Sequence, residues 1–198
     1  MMVSFFSGFF LGFSLILAIG AQNAYVLKCG INQKYIFIVC LICALSDAVL
    51  IFFGVSGFSI ITESYEWLLN SVLNAGIVFL LLYGVRSFWL AFKKQDSLHV
   101  ANDSNDSLLQ VVLTCLAFTW LNPHVYLDTL VLMGSVSVQH SESLVQFTLG
   151  AISASFVFFF SLGYAARLLI PFFDKPRSWK ILDFMIGITM FSIALSLI

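Results

Sequence analysis

The 198-residue chain is 61% hydrophobic and only 10% charged, with a mean hydropathy of +1.02 and a formal net charge of −1. A soluble globular domain carries about 25% charged residues. The composition therefore excludes a soluble domain and indicates an integral membrane protein.

Six apolar stretches are each long enough to cross a bilayer, because about 30 Å of hydrocarbon requires about 20 residues of helix. They are apolar on all sides, which favours helices over barrel strands, since barrel strands alternate in polarity. The stretches are Phe5 to Leu27, Tyr35 to Ile61, Trp67 to Trp89, Leu108 to Leu132, Leu144 to Ile170 and Lys180 to Ile198. The predicted fold is all-α with six transmembrane helices.

The basic residues lie after the first, third and fifth stretches or at the adjoining helix ends. They are Lys28, Lys34, Arg86, Lys93, Lys94, Arg167, Lys175, Arg177 and Lys180. The positive-inside rule places these three connections in the cytoplasm. Both termini then face outward if all six stretches cross, whereas a first stretch that dips in and returns would leave Met1 inside. The sequence leaves this choice open.

A polar segment, "KKQDSLHVANDSNDS" at residues 93–107, separates two parts of three stretches each, residues 1–92 and 108–198. Its composition predicts a flexible cytoplasmic linker. An odd number of crossings inserts the second part upside down relative to the first, as in many secondary transporters. The sequence thus predicts two inverted three-helix repeats, with "AQNAYVL" matching "NPHVYLD" and Tyr25 matching Tyr126.

The first helix of each predicted half is expected to be broken. Pro123 in "WLNPHVYLD" has no backbone N–H to donate and clashes with the preceding turn, which predicts a kink or break near Asn122. Gly20 in "IGAQNA" predicts a gentler break. Paired breaks point to a transporter's binding site, because the N-terminus of a half-helix attracts an anion such as a carboxylate.

Two roles are possible for the polar side chains beside these breaks. They bind substrate, or they only provide hydrogen bonds to backbone groups that the break exposes to hydrocarbon. Thr119, Asn122 and His124 are the nearest side chains for such repair in the second break. The predicted binding residues near the two breaks are Gln22, Asn23, Asn122, His124 and Tyr126.

Two acids, Asp47 in "CALSDAVLIFF" and Asp128 in "VYLDTLVL", lie within apolar stretches. Each costs about 2.5 to 3.5 kcal/mol at mid-membrane, which suggests a function. Low dielectric favours the neutral form of an unpaired carboxylate and the ionised form beside a cation. Each acid is therefore predicted to exchange a proton for a guanidinium or ammonium group, and His124 to pass protons or bond the break. The alternative is that each acid accepts a hydrogen bond from Ser46, Thr129 or a neighbouring helix, or pairs with a basic residue near the membrane surface.

Two further patterns have structural readings. Cys40 and Cys43 form a CxxC inside an apolar stretch, where two thiols are usually packing residues; an intramembrane thiol relay is the alternative. Ser4, Gly8 and Gly12 form a ridge of small residues suited to close helix contact within one chain or between two chains of a homodimer.

The motifs "AIGAQNAYVLKCGI", "LSDAVLIFFGVSG" and "LNPHVYLDTLVLMGSVS" resemble the LysE family of bacterial exporters, in its basic amino-acid branch. The resemblance covers nearly the whole chain in matching order. Relatives that export neutral amino acids usually have a Pro-Gly-Pro-like motif in the first helix, where this chain has "IGAQNA". The positions that match the family are Gln22, Asn23, Asp47, Asn122, Pro123 and Asp128.

The resemblance implies a multi-pass protein of the bacterial inner membrane that exports arginine or lysine in exchange for protons, and that is not an enzyme. Its expected partners are a basic amino acid, protons and the lipid bilayer, with no nucleic acid, metal or cofactor. A transporter of metal ions or other cations is one alternative, and an intramembrane thiol oxidoreductase is another.

Overall fold

The computed structural model describes residues 2–17, 20–56, 66–92, 107–173 and 176–196, and the regular structure in these ranges is helical. The helices are α1 (Met2–Leu17), α2 (Ala21–Ile31), α3 (Ile36–Val55), α4 (Glu66–Phe92), α5 (Leu108–Trp120), α6 (Pro123–Tyr126), α7 (Met133–Ser137), α8 (Leu144–Ala165) and α9 (Pro176–Ser196). A π-helical segment, Leu127–Leu132, joins α6 to α7, and 3-10 segments follow α7 and α8.

Four helical stretches among the described residues are long and apolar enough to cross a membrane. They are Ile36–Val55, Asn74–Phe92, Asp128–Phe173 and Arg177–Ser196, and the bent pair of α1 and α2 makes a fifth if it counts as one span. At a rise of 1.5 Å per residue, twenty helical residues cover about 30 Å, the thickness of the hydrocarbon core. The prediction of an all-helical membrane protein is confirmed.

The ridge of small residues on α1 packs against α8 within the chain. A side chain at Gly8 would overlap the backbone carbonyl of Phe147, and a Cβ at Gly12 would lie 3.2 Å from the Ala151 Cα. The Ser4 and Ser143 hydroxyls are 2.6 Å apart. Residue numbers rise together along this contact, so α1 and α8 run parallel.

The contact with α8 continues in α2, because a Cβ at Gly30 would lie 2.5 Å from the carbonyl oxygen of Gly163 near the far end of α8. Helix α3 runs the opposite way beside α8. Its first half meets the end of α8, where the Cys40 thiol donates to the Phe159 carbonyl at 3.2 Å, and its last half packs on Phe147.

The long stretch Asp128–Phe173 is folded back on itself. His140 in the 3-10 segment Val138–Ser143 has non-helical dihedral angles (φ −114°, ψ 26°). Met133 on one side of this kink packs with Phe147 and Ala151 on the other. The stretch therefore forms a helical hairpin, as the separate fourth and fifth apolar stretches predicted.

Helices α4 and α9 pack together through aromatic rings, with Phe88 against Gly187 and Phe191 against Gly84. Helix α5 begins with a capping box, in which the Ser107 hydroxyl accepts from the Gln110 N–H and the Gln110 side chain accepts from the Ser107 N–H. The rest of the predicted linker, residues 93–106, lies outside the described residues.

Candidate functional site

Both predicted helix breaks are present. Helix α1 ends at Leu17 and α2 begins at Ala21, with Gly20 as its N-cap, and the axes of the two helices differ by 80°. Helix α5 ends at Trp120 and α6 begins at Pro123. Proline fits the first position of a helix, where its missing N–H has no intrahelical partner to lose. Gly20 is thus the N-cap of α2 and Pro123 the first residue of α6, and the 80° bend at the first break is sharper than the gentle break expected at Gly20.

One side chain after each break bonds a backbone carbonyl before it. The Asn23 amide donates to the Ile16 carbonyl at 2.7 Å, and the Tyr126 hydroxyl donates to the Trp120 carbonyl at 2.6 Å. The last carbonyls of a helix have no intrahelical donor, so these bonds provide hydrogen-bond donors to carbonyls that would otherwise have none in hydrocarbon. The Thr119 hydroxyl instead bonds the Cys115 carbonyl of its own helix at 3.2 Å.

A cavity of about 370 Å³ lies between the two breaks. Its size falls within the range of about 300 to 1,000 Å³ for small-molecule sites. Six of the predicted residues line it, together with an apolar wall. The six are Gly20, Gln22, Asn23, Asp47, Asn122 and Asp128, and the remaining wall is Leu15, Ile16, Ile51, Val125, Thr129, Met133, Phe159 and Ile193.

The three other predicted residues have different positions. The Tyr126 side chain is not among the lining residues and bonds the end of α5 instead. The backbone of Pro123 and His124 forms the start of α6, and their side chains lie outside the described part of the structure.

Asp47 and Asp128 reach the same cavity from different elements. Asp47 lies on α3 and is only 5% exposed, and Asp128 lies on the π-helical segment and is half-buried. The described wall of the cavity contains no lysine or arginine. A buried carboxylate is costly unless a cation pairs with it or a proton neutralises it. The cavity is therefore chemically suited to a cationic ligand.

Two buried polar atoms in this wall have no hydrogen-bond partner among the described residues. They are the side-chain nitrogen of Gln22 and one carboxylate oxygen of Asp47. Buried polar groups in native structures nearly always have a partner, and an unsatisfied one costs about 1 to 3 kcal/mol. The two side chains lie within reach of each other, so these atoms mark one polar corner of the cavity.

The π-helical segment was not predicted from the sequence, and it sets the position of Asp128. A side chain at Gly54 of α3 would overlap the carbonyl oxygen of Thr129, so the two backbones are in direct contact. The Thr129 hydroxyl donates to the Val125 carbonyl at 2.6 Å. Single π turns inside α-helices occur frequently at functional sites. Gly54, about two helical turns before the end of the second apolar stretch, was the local sign of this close approach in the sequence.

The two cysteines of the CxxC have separate partners. Cys40 bonds the backbone of α8, whereas the Cys43 sulfur lies 3.2 Å from the Cys115 sulfur of α5. Both are fully buried free thiols. From neighbouring positions on α3 they contact two different helices, Cys40 contacting α8 and Cys43 contacting α5.

Asp183 forms an ion pair with Lys28, 155 positions away in sequence. The ion pair connects α9 to the last turn of α2.

Comparison with known proteins identifies the family. Residues 13–198 match the LysE type translocator family. The chain is 41% identical over 198 residues to "Arginine exporter protein ArgO" of Pectobacterium carotovorum, covering 100% of this chain and 97% of the relative. It is 42% identical over 194 residues to the protein of the same name in Shigella flexneri, covering 98% and 92%. No solved structure matches.

These matches cover the full length that the motifs suggested, so the predicted resemblance is confirmed. The chain belongs to the LysE family of translocators, and it is a multi-pass membrane transporter rather than an enzyme.

Proposed function

We propose that this protein exports basic L-amino acids, arginine in particular and lysine in addition, from the cytoplasm across the bacterial inner membrane. The observation that carries the proposal is a cavity between two broken helices whose described lining contains two acids and no lysine or arginine. Relatives at 41 to 42% identity are named arginine exporters, which agrees with a cationic substrate.

The two ends of an amino acid have matching groups in the cavity. Asp47 and Asp128 suit the guanidinium or ammonium group, because a carboxylate bonds a guanidinium through two parallel hydrogen bonds. The N-terminal turn of α2 suits the α-carboxylate, since helix N-termini carry bare N–H groups and a positive dipole end. The Gln22 amide adds a donor without a partner at that turn.

Proton antiport is the proposed mechanism. In a medium of low dielectric, each acid is stable either with a bound proton or with a bound cation, so arrival of one favours release of the other. Outward movement of a +1 substrate against an inside-negative potential costs about 2.3 kcal/mol per 100 mV, and one inward proton offsets that cost. A one-for-one exchange is then electroneutral and is driven by the pH gradient and the substrate gradient.

The proposed topology has six crossings in two inverted repeats, residues 1–92 and 108–198, joined by a cytoplasmic linker at 93–107. It is supported by the parallel course of α1 and α8, which puts Ser4 beside Ser143 at one end of α8, and by the contact of α2 with the other end of α8, where Gly30 lies beside Gly163. Both termini then lie on the side opposite the basic connections. The occurrence of a break in the first helix of each half also supports it.

A transporter of inorganic cations could use the same two acids without recognising an amino acid. Among the described residues, no group of three or more His, Cys, Asp or Glu side chains is placed to hold a metal ion. The α-carboxylate discriminates between the two functions. Export of arginine but not agmatine, which lacks that group, supports amino-acid transport, and equal export of both supports the alternative.

The direct test is efflux from liposomes that contain the purified protein and labelled arginine, lysine or threonine, under an imposed pH gradient. We expect arginine efflux, slower or equal lysine efflux and no threonine efflux. Asp47→Asn and Asp128→Asn should each abolish arginine efflux, because an amide can neither release a proton nor pair with a guanidinium.

Glu142→Gln provides the matched control, because Glu142 is an exposed acid in the 3-10 segment outside the cavity. It should keep wild-type efflux. Undiminished efflux in either aspartate variant, with comparable amounts of inserted protein, would remove that residue from the mechanism.

A further inference from the structure

The ion pair of Lys28 and Asp183 lies in a largely apolar setting. The two side chains are only 17% and 11% exposed. Ile31, Ala166 and Trp179 are buried in one cluster around the same helix ends, and Leu182 packs against it. A charge in such a setting is costly to leave unpaired, so Asp183 requires a cation beside it.

The pair joins the two helices that also line the cavity. Helix α2 contributes Gln22 and Asn23 to the cavity wall, and α9 contributes Ile193. Lys28 follows Asn23 by five residues, about 7.5 Å along the axis of α2, and Asp183 precedes Ile193 by ten, about 15 Å along α9. Relative to the cavity, Lys28 and Asp183 therefore both lie on the side of the connections that carry the basic residues. The pair therefore holds α2 and α9 together on the proposed cytoplasmic side of the cavity.

The last turn of α2 has little freedom to move. A Cβ at Gly30 would lie 2.5 Å from the Gly163 carbonyl oxygen and 2.6 Å from the Ala166 Cβ, so this turn packs directly on the end of α8. Lys28 is also favourably placed at a helix C-terminus, where the dipole attracts a cation. Opening of the cavity toward the cytoplasm thus requires α9, with Asp183, to separate from Lys28.

We propose that Asp183 is a second recognition site for the cationic side chain of the substrate, at the cytoplasmic entrance, and that Lys28 closes this entrance as a tethered cation. This inference rests on the proposed export of basic amino acids. Lys28 carries the same ammonium group as a lysine substrate, and the guanidinium of arginine binds a carboxylate at two points. Either substrate can replace Lys28 without leaving Asp183 unpaired.

Inverted membrane vesicles test the proposal, because their outer surface is the cytoplasmic face and the KM for labelled arginine then reports binding from that side. Asp183→Asn should raise this KM about tenfold, the change that corresponds to about 1.4 kcal/mol of binding free energy. Lys28→Met should lower it about threefold or more, because removal of the tethered competitor increases the fraction of binding-competent protein. Arg177→Gln, in the exposed first turn of α9, is the charge-matched control and should leave KM unchanged.

Opposite changes in KM separate recognition from a purely structural ion pair. A structural pair predicts less folded protein in both variants with an unchanged KM, or a shift in the same direction, and either result overturns the proposal. If Asp183→Asn does not insert into the membrane, Asp183→Glu replaces it as a variant that keeps the charge. The Lys28→Met variant then decides, because an unchanged or raised KM in that variant refutes the role of Lys28 as a competitor. Failure of wild-type vesicles to take up arginine refutes the proposed function itself, whereas wild-type uptake with equal KM values refutes only this inference.

Discussion

Replacement of Gly54, which does not itself line the cavity, by alanine should weaken substrate binding. The new Cβ would overlap the Thr129 carbonyl oxygen and lie 3.0 Å from the Leu130 Cα, so the atoms it meets belong to backbone. No change of rotamer relieves such an overlap, and α3 has to move away from the π-helical segment. Asp47 lies on α3 and Asp128 on that segment, so the two acids separate.

The expected size of the effect follows from the kind of contact. Overpacking a tight interface costs about 1 to 3 kcal/mol. Every 1.4 kcal/mol of binding free energy lost through distortion of the site corresponds to about a tenfold loss of affinity. We therefore expect Gly54→Ala to raise the KM for arginine about tenfold and to lower the thermal unfolding temperature of the purified protein.

Gly187→Ala is the matched control because it adds the same methyl group in the contact between α4 and α9. There the nearest atoms belong to the Phe88 ring, at 2.8 to 3.0 Å, and a side chain can rotate away. This variant should keep the wild-type KM. A wild-type KM and unfolding temperature for Gly54→Ala would refute the view that the backbone contact between α3 and the π-helical segment sets the spacing of the two acids.

Two further predictions concern the helix breaks and the thiols. Asn23→Ala and Tyr126→Phe each remove a hydrogen bond to a helix-end carbonyl, so each should lower the free energy of unfolding by about 1 to 3 kcal/mol in denaturation experiments. A negligible change would show that another group satisfies these carbonyls. Cys40→Ser combined with Cys43→Ser should keep arginine export in the liposome assay, because neither thiol lines the cavity; loss of export with intact folding would revive the thiol relay.

Much of the local structure was predictable because it depends on neighbouring residues. Hydropathy predicted six crossing stretches, and the described residues contain four helical stretches long and apolar enough to cross, or five with the bent pair of α1 and α2. Pro123 predicted a break within two residues of where α5 ends, because proline cannot continue a helix regardless of its surroundings. The candidate acids were also visible in the sequence, because a charge inside an apolar stretch has a high cost wherever the helix packs.

The tertiary structure decided which of these features meet. The ridge of small residues predicted close packing but did not identify the partner helix. Only the tertiary structure shows that Gly8 of α1 packs against α8 of the same chain. The placement of Asp47 and Asp128 in one cavity, and the pairing of Lys28 with Asp183 across 155 positions, depend on how helices pack in three dimensions. Helical periodicity gives each helix its faces, but only the tertiary contacts determine which faces enclose a cavity.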